Sequence, residues 1–234
     1  MIVSSHDGRL RCVTQSDHAH LAADLLSIWV TDGLPEHPRR RELLLAAREH
    51  DNGWQEADSA PFHDPETGRP HDFMTLPSAE RRRIWLRGPR RHAGREPYAS
   101  LLITRHALEL HRDRAGDPEW AEVFAVWRSL EEELHAATGA GASTLADDYR
   151  WIDLTDVLSL TACGGLDRPV ERHGFRGEAA GGVLAIDPFP LAGATTLRVP
   201  CRDVPARRYV SDADLAMELI TARWRELAVR VVAL

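Results

Sequence analysis

The apolar run Leu43-Leu44-Leu45-Ala46-Ala47-Arg48-Glu49 ends in His50-Asp51 and passes directly into Asn52-Gly53-Trp54. A chain that packs this helix into a core has to hold an imidazole and a carboxylate side by side at the end of it. The dipeptide alone says little, because four of the twelve histidines precede an aspartate. Its setting is what differs: His6-Asp7-Gly8 reads as a hairpin turn, while His63-Asp64-Pro65 and His71-Asp72-Phe73 lie in loop-like sequence bearing Pro and Gly. A neighbouring His and Asp can both ligate a divalent metal when other elements supply further ligands. The plainer alternative is a helix-terminal histidine favoured by the dipole, followed by an aspartate that starts a turn.

Charge and composition narrow the function. The formal charge is −7, and all 29 basic residues are arginine. An acidic chain is a poor nucleic-acid binder by bulk charge, and without lysine there is neither a Schiff base nor a P-loop. A GC-rich coding bias explains the missing lysine and would also deplete asparagine. The single asparagine, Asn52, nevertheless follows His50-Asp51, and the two glutamines, Gln15 and Gln55, fall close to the candidate ligands. Cys12, Cys163 and Cys201 show no CxxC spacing and suggest neither a zinc knuckle nor a disulfide framework. With no run near the roughly 18 apolar residues of a membrane span, a cytoplasmic protein is expected, a single domain over 1–234 for which a homodimer is allowed.

Residues 1–13 read as two strands around Asp7-Gly8. Helices are expected from His18 to Val30, over about 39–51 with Asn52-Gly53 as a stop, from Tyr98 to His111, from Asp117-Pro118 onward, and over 147–163. Residues 55–77 read as a long loop, a lid or substrate wall. Gly182–Asp187, Thr195–Cys201 and Val229–Val232 read as strands, with a helix from Ser211 through about Leu227. The expected fold class is mainly α, a helical core over about 14–165 carrying a small β-sheet appendage from 1–13 and 166–234. The seven tryptophans read as core aromatics.

Beside His50-Asp51, candidate ligands are His18 or the nearby His20 on the first helix, and Asp156 or Asp153 on the last helix of the core. His106 points to the core side of its helix, as a ligand or a hydrogen-bonded core histidine; as a ligand it would make a second metal expected. Glu49 could orient or deprotonate a water. Arg48 and Arg105 are candidate phosphate clamps, since guanidinium forks match phosphate oxygens. Asn52 could hydrogen-bond a substrate, and Trp54 could line a pocket or seal the core. His71, His92 and His111 are further candidates.

The order His18, His50-Asp51, Asp156 resembles the HD superfamily of metal-dependent phosphohydrolases. Within it, the strings Gln15-Ser16-Asp17-His18, His50-Asp51-Asn52-Gly53-Trp54 and Asp156-Val157-Leu158-Ser159-Leu160 look like an uncharacterised family known only as a domain of unknown function. The resemblance implies His18, His50, Asp51 and Asp156 as ligands of a divalent metal (manganese, magnesium, nickel, zinc or iron), with about two coordination positions left for water. It further implies hydrolysis of a small phosphorylated molecule, a phosphate ester or a nucleotide. The alternatives are an HD-fold diiron oxygenase and a non-catalytic metal- or ligand-binding protein.

Overall fold

The computed structural model describes residues 1–234. The chain opens with a hairpin, β1 (Ile2–His6) and β2 (Arg9–Val13), whose turn places Asp7 and Gly8 at positive φ, the backbone that an Asp-Gly pair tolerates best. Thr14 then caps α1 (Gln15–Ser27). Its Oγ1 accepts the Asp17 N–H at 3.0 Å and donates to the Asp17 carboxylate at 2.6 Å. The first turn of α1, with Gln15 and His18, is thereby fixed at the end of β2.

Four helices form the body around that turn. α2 (Arg40–Glu49) packs on α1; after the short α3 (Gln55–Ser59) and α4 (Ser78–Arg87), α5 (Pro97–Leu110) packs on α2; and α7 (Ala142–Ala162), which follows α6 (Ala121–Thr138), touches α1, α2 and α5. Their apolar stripes, with Leu25, Leu43, Leu102 and Ile152 among them, merge in one buried cluster. Asp148 of α7 accepts from the Tyr98 hydroxyl at 2.5 Å and Arg39 Nε at 2.9 Å, and faces His37 Nε2 at 3.1 Å. That buried carboxylate ties the start of α2 to both α5 and α7. A second apolar cluster around Trp85, Trp120 and Trp127 joins α4 to α6.

The remaining strands correct the expectation of a mainly α fold with a small appendage. β3 (Val170–Arg172), β4 (Phe175–Ala180), β5 (Val183–Asp187), β6 (Thr195–Pro205) and β7 (Trp224–Ala233) join the hairpin in one curled sheet of seven strands, ordered β1-β2-β6-β7-β5-β4-β3. All neighbours are antiparallel except β5 and β7. Ile2, Val13, Ile186, Val199, Val229 and Val231 of the sheet share the helices' own apolar cluster. The sheet is therefore a layer of the main core, holding α1 and α7 from behind, and the fold is a mixture of helix and sheet.

The physical reasons are local. Trp224-Arg225-Glu226-Leu227-Ala228 contains good helix formers, yet it pairs antiparallel with β6, Cys201 opposite Arg225 and Val199 opposite Leu227, while α8 (Asp212–Thr221) ends earlier. Strand pairing overrides propensity there. β3 and β4 carry Glu171, Arg172, Arg176 and Glu178, so neither shows a clear apolar alternation. α7 begins at Ala142, ahead of the start expected at residue 147. Six of the seven tryptophans are buried; Trp224 is exposed, with the Arg202 guanidinium 3.9 Å above its ring. No helix is long and apolar enough to cross a membrane, and the three cysteines are free and buried.

Gly53 does not act as a left-handed helix stop. It sits in a 3₁₀ turn, Asn52–Trp54, pressed against α4, where an added Cβ would lie 2.4 Å from the Ile84 carbonyl oxygen and 3.2 Å from the Gly88 backbone. Arg87 Nε also donates to the Gly53 carbonyl at 2.8 Å. Both neighbours are backbone and cannot turn aside. Gly53→Ala is expected to destabilise the fold by about 1–3 kcal/mol, read as a lower denaturant midpoint with an unchanged slope; an unchanged midpoint would refute the close packing.

Candidate metal centre

Four helices deliver five titratable side chains to one point. His18 comes from the first turn of α1, His50 from the C-terminal cap of α2, Asp51 from the residue after it, His106 from the middle of α5 and Asp156 from α7. The three imidazoles are 0–2% exposed and both carboxylates 5%. Two overlapping triads, His18-His50-Asp51 and His50-His106-Asp156, bring their ligand atoms within 4.8 Å of one another. His20 is in neither triad, and Asp153 instead faces His173 Nε2 at 2.8 Å near the surface.

The hydrogen bonds behind the imidazoles bear on where their protons sit. His50 Nδ1 lies 2.8 Å from the Ala47 carbonyl, which only accepts, so Nδ1 carries a proton. Ser159 Oγ lies 2.9 Å from the Asp156 carbonyl and 3.0 Å from His18 Nδ1; when the hydroxyl donates to the carbonyl, its oxygen accepts from Nδ1. In the tautomers with a single proton on Nδ1, His18 and His50 aim Nε2 lone pairs at carboxylates. His18 Nε2 is 2.9 Å from Asp51 Oδ2, and His50 Nε2 is 3.3 Å from Asp156 Oδ1 and 3.8 Å from Asp51 Oδ2. Lone pair against carboxylate is repulsive unless each imidazole takes a second proton or a cation sits among them.

The titration directions express this conflict. Burial disfavours charged His50, but Asp51 and then Asp156 outweigh it and raise its pKa to about 9. Burial would raise the Asp156 pKa, yet His50, with Nε2 3.3 Å from Oδ1, holds it well below the usual carboxylate range; Asp51 is lowered likewise, with His50 and His18 outweighing burial. His106 moves the other way, lowered by burial against the pull of Asp156. Even so, His50 Nε2 and Asp51 Oδ1 are buried with no hydrogen-bond partner. A closed salt-bridge cluster would be expected to satisfy them. Imidazole nitrogens and carboxylate oxygens are the donor set of a divalent transition metal, so the residues fit such an ion.

The cluster floors a cavity of about 260 Å³. Gln15, Asp51, His106 and Asp156 reach its floor, and Gln15 Nε2 donates to Asp51 Oδ2 at 3.0 Å while its buried Oε1 has no partner. Trp54, Phe73, Met74 and Trp85 are among its walls. Trp54 thus both lines the cavity and packs in the second apolar cluster. Phe73 and Met74 belong to the long loop read from the sequence as a substrate wall.

Several nominated residues lie elsewhere. Glu49 faces His92 Nε2 at 3.2 Å and does not line the cavity. Arg48 is exposed on an outer groove between α1 and α2, and Arg105 pairs with Glu131 at 3.0 Å and Glu109 at 3.3 Å, joining α5 to α6. Asn52 is buried outside the cavity with neither amide atom paired. The same helix that delivers His50 rotates Arg48 and Glu49 by about 100° per residue away from it. His71 is near the surface beside Thr75, whereas His111 does reach the cavity, its ring stacked on Trp120 and its pKa lowered to about 4 by burial.

Sequence reasoning missed Ser159, Tyr149 and Arg81. Ser159 lay inside the Asp-x-x-Ser-Leu string, one turn from Asp156, where a buried hydroxyl can serve a neighbouring imidazole. Tyr149 OH is 3.3 Å from His106 Nδ1. The retained glutamine at Gln15 was the one compositional sign that led to the floor of the site.

The chain matches, over residues 1–206, the family model described as a protein of unknown function, DUF3891. That match covers most of the chain, which therefore belongs to this family. No curated protein and no solved structure matches it.

Ser159 hydrogen-bonds His18 Nδ1 and orients the ring, so Ser159→Ala is expected to weaken divalent-metal affinity by about 10–100-fold while the far-ultraviolet circular dichroism stays unchanged. An affinity equal to the wild type's would remove Ser159 from the account.

Proposed function

We propose that this protein is a divalent-metal-dependent hydrolase of small phosphate esters, of the HD kind. The observation that carries the reading is the pair of inward Nε2 atoms, of His18 and His50, set against two buried carboxylates, with His50 Nε2 and Asp51 Oδ1 unpaired. His18, His50, Asp51 and Asp156 would hold the ion. When bound, a divalent ion supplies an acidified water, with a pKa near 7 in favourable sites, and neutralises charge on a phosphoryl group.

The chain's own residues supply the rest. Gln15 is anchored through Nε2 to Asp51 and leaves Oε1 free at the floor, where it can accept a proton donor and fix the direction of an attacking water. The aromatic and aliphatic walls exclude bulk solvent, which strengthens the electrostatics of the floor. Glu49 takes no part.

A second reading has its own observation. His106 Nε2 lies 3.8 Å from Asp156 Oδ2 and completes the second triad through His50. Two ions, and with iron an oxygen-activating enzyme, would fit that triad.

Turnover of a phosphomonoester panel with manganese or magnesium tests the first reading. Activity is expected to vanish on chelation, to return on adding metal, and to fall by about 100-fold or more in Asp51→Asn. Absence of phosphatase activity in metal-loaded protein, together with iron-dependent dioxygen uptake, would replace it with the second.

A further inference from the structure

Arg81 is the cationic group of the cavity that no internal partner claims. It projects from the first turns of α4, lines the same cavity as Asp51 and Asp156, and is only half-buried. It enters no ion pair, and its Nε is buried without a hydrogen-bond partner. Arg82 and Arg83, its neighbours in sequence, are both paired, with Glu119 at 2.6 Å and Glu80 at 2.7 Å. Burial, and then the nearby Arg114, push the Arg81 guanidinium below the ordinary arginine range, while Asp113 draws it back. Arginine nonetheless stays charged in proteins. Asp51, Asp113 and Asp156 line the same cavity, but none pairs with Arg81, and a charged fork without a partner leaves an unmet donor.

We infer that Arg81 is the anion receptor of this cavity, and that the substrate is a small phosphate monoester whose alcohol part is apolar or planar. Its terminal N–H groups present donors that match phosphate oxygens. Trp85, Phe73 and Leu110 line the same cavity and offer the apolar surface for the alcohol part. The cavity, at about 260 Å³, lies at the lower end of small-molecule sites. The naming of a phosphate ester rests on the hydrolase reading above; the assignment of Arg81 as anion receptor stands on the cavity alone.

The test is a tryptophan-fluorescence titration of the full chain, supplied with magnesium, using phenyl phosphate, inorganic phosphate and benzyl alcohol, with metal content measured alongside. Trp54 and Trp85 in the walls provide the signal. Phenyl phosphate is expected to bind more tightly than inorganic phosphate. Both Arg81→Gln and Arg81→Met, the second keeping an apolar stem, are expected to weaken phenyl phosphate by about tenfold or more. Metal content and weak benzyl alcohol binding stay as they were, and Arg48→Gln, on the outer groove, has no effect. No phenyl phosphate binding to the wild type, or a smaller loss in the folded Arg81 variants, overturns the inference. Arg81-dependent binding in a protein that holds no metal and turns nothing over would keep the receptor and remove the hydrolase. Metal-dependent turnover indifferent to Arg81 would do the reverse.

Discussion

Two carboxylates buried among three imidazoles set the terms for the rest of this molecule. Removing a charged group from water is costly, and an ion pair inside a protein repays that cost only when geometry and hydrogen bonding are nearly complete. Here the bonding is complete behind the imidazoles and incomplete in front of them. Ala47 and Ser159 hold the outer nitrogens of His50 and His18, while His50 Nε2 and Asp51 Oδ1 face inward without partners. A divalent cation removes the conflict at one stroke, and its binding free energy then becomes part of the stability of the fold.

The remainder of the chain can be read as support for that cluster. The β1–β2 hairpin leads into the Thr14 cap, which places Gln15 and His18. The Asp148 cluster fixes the start of α2, and Gly53 lets the turn after His50-Asp51 press onto α4. α4 in turn carries Trp85 and Arg81 to the mouth of the cavity. The curled sheet packs behind α1 and α7, the helices that carry His18 and Asp156. The centre is therefore shared by four helices, and a shift of any one would be felt at the ligands.

Much of this cluster was legible in the sequence because its residues are unusual where they occur. Asp156 stands in an apolar helical run, and His50-Asp51 closes another. His18 and Asp156 were separated from His20 and Asp153 by local strings rather than by periodicity, and burial agrees with that choice. Arg81 was not legible: in a chain with 29 arginines, nothing in the sequence distinguishes the one left without a partner. Glu49, Arg48 and Arg105 were misplaced because adjacency in a helix is not adjacency in space. The extent of the sheet was hidden for a different reason. β3 and β4 are polar, and the first half of β7 is written in helix-forming residues, so only the pairing with β6 and β5 reveals them.

Elemental analysis of protein purified without chelator or histidine tag addresses the cation directly, with His50→Ala and Asp156→Ala prepared in parallel. The account predicts a stoichiometric divalent metal in the wild type and its loss from both variants, with the folded state retained when judged by circular dichroism. Folded wild-type protein that holds no metal, even after incubation with manganese, zinc, nickel or iron, would contradict it and leave a buried cluster of histidines and carboxylates without an ion in its place.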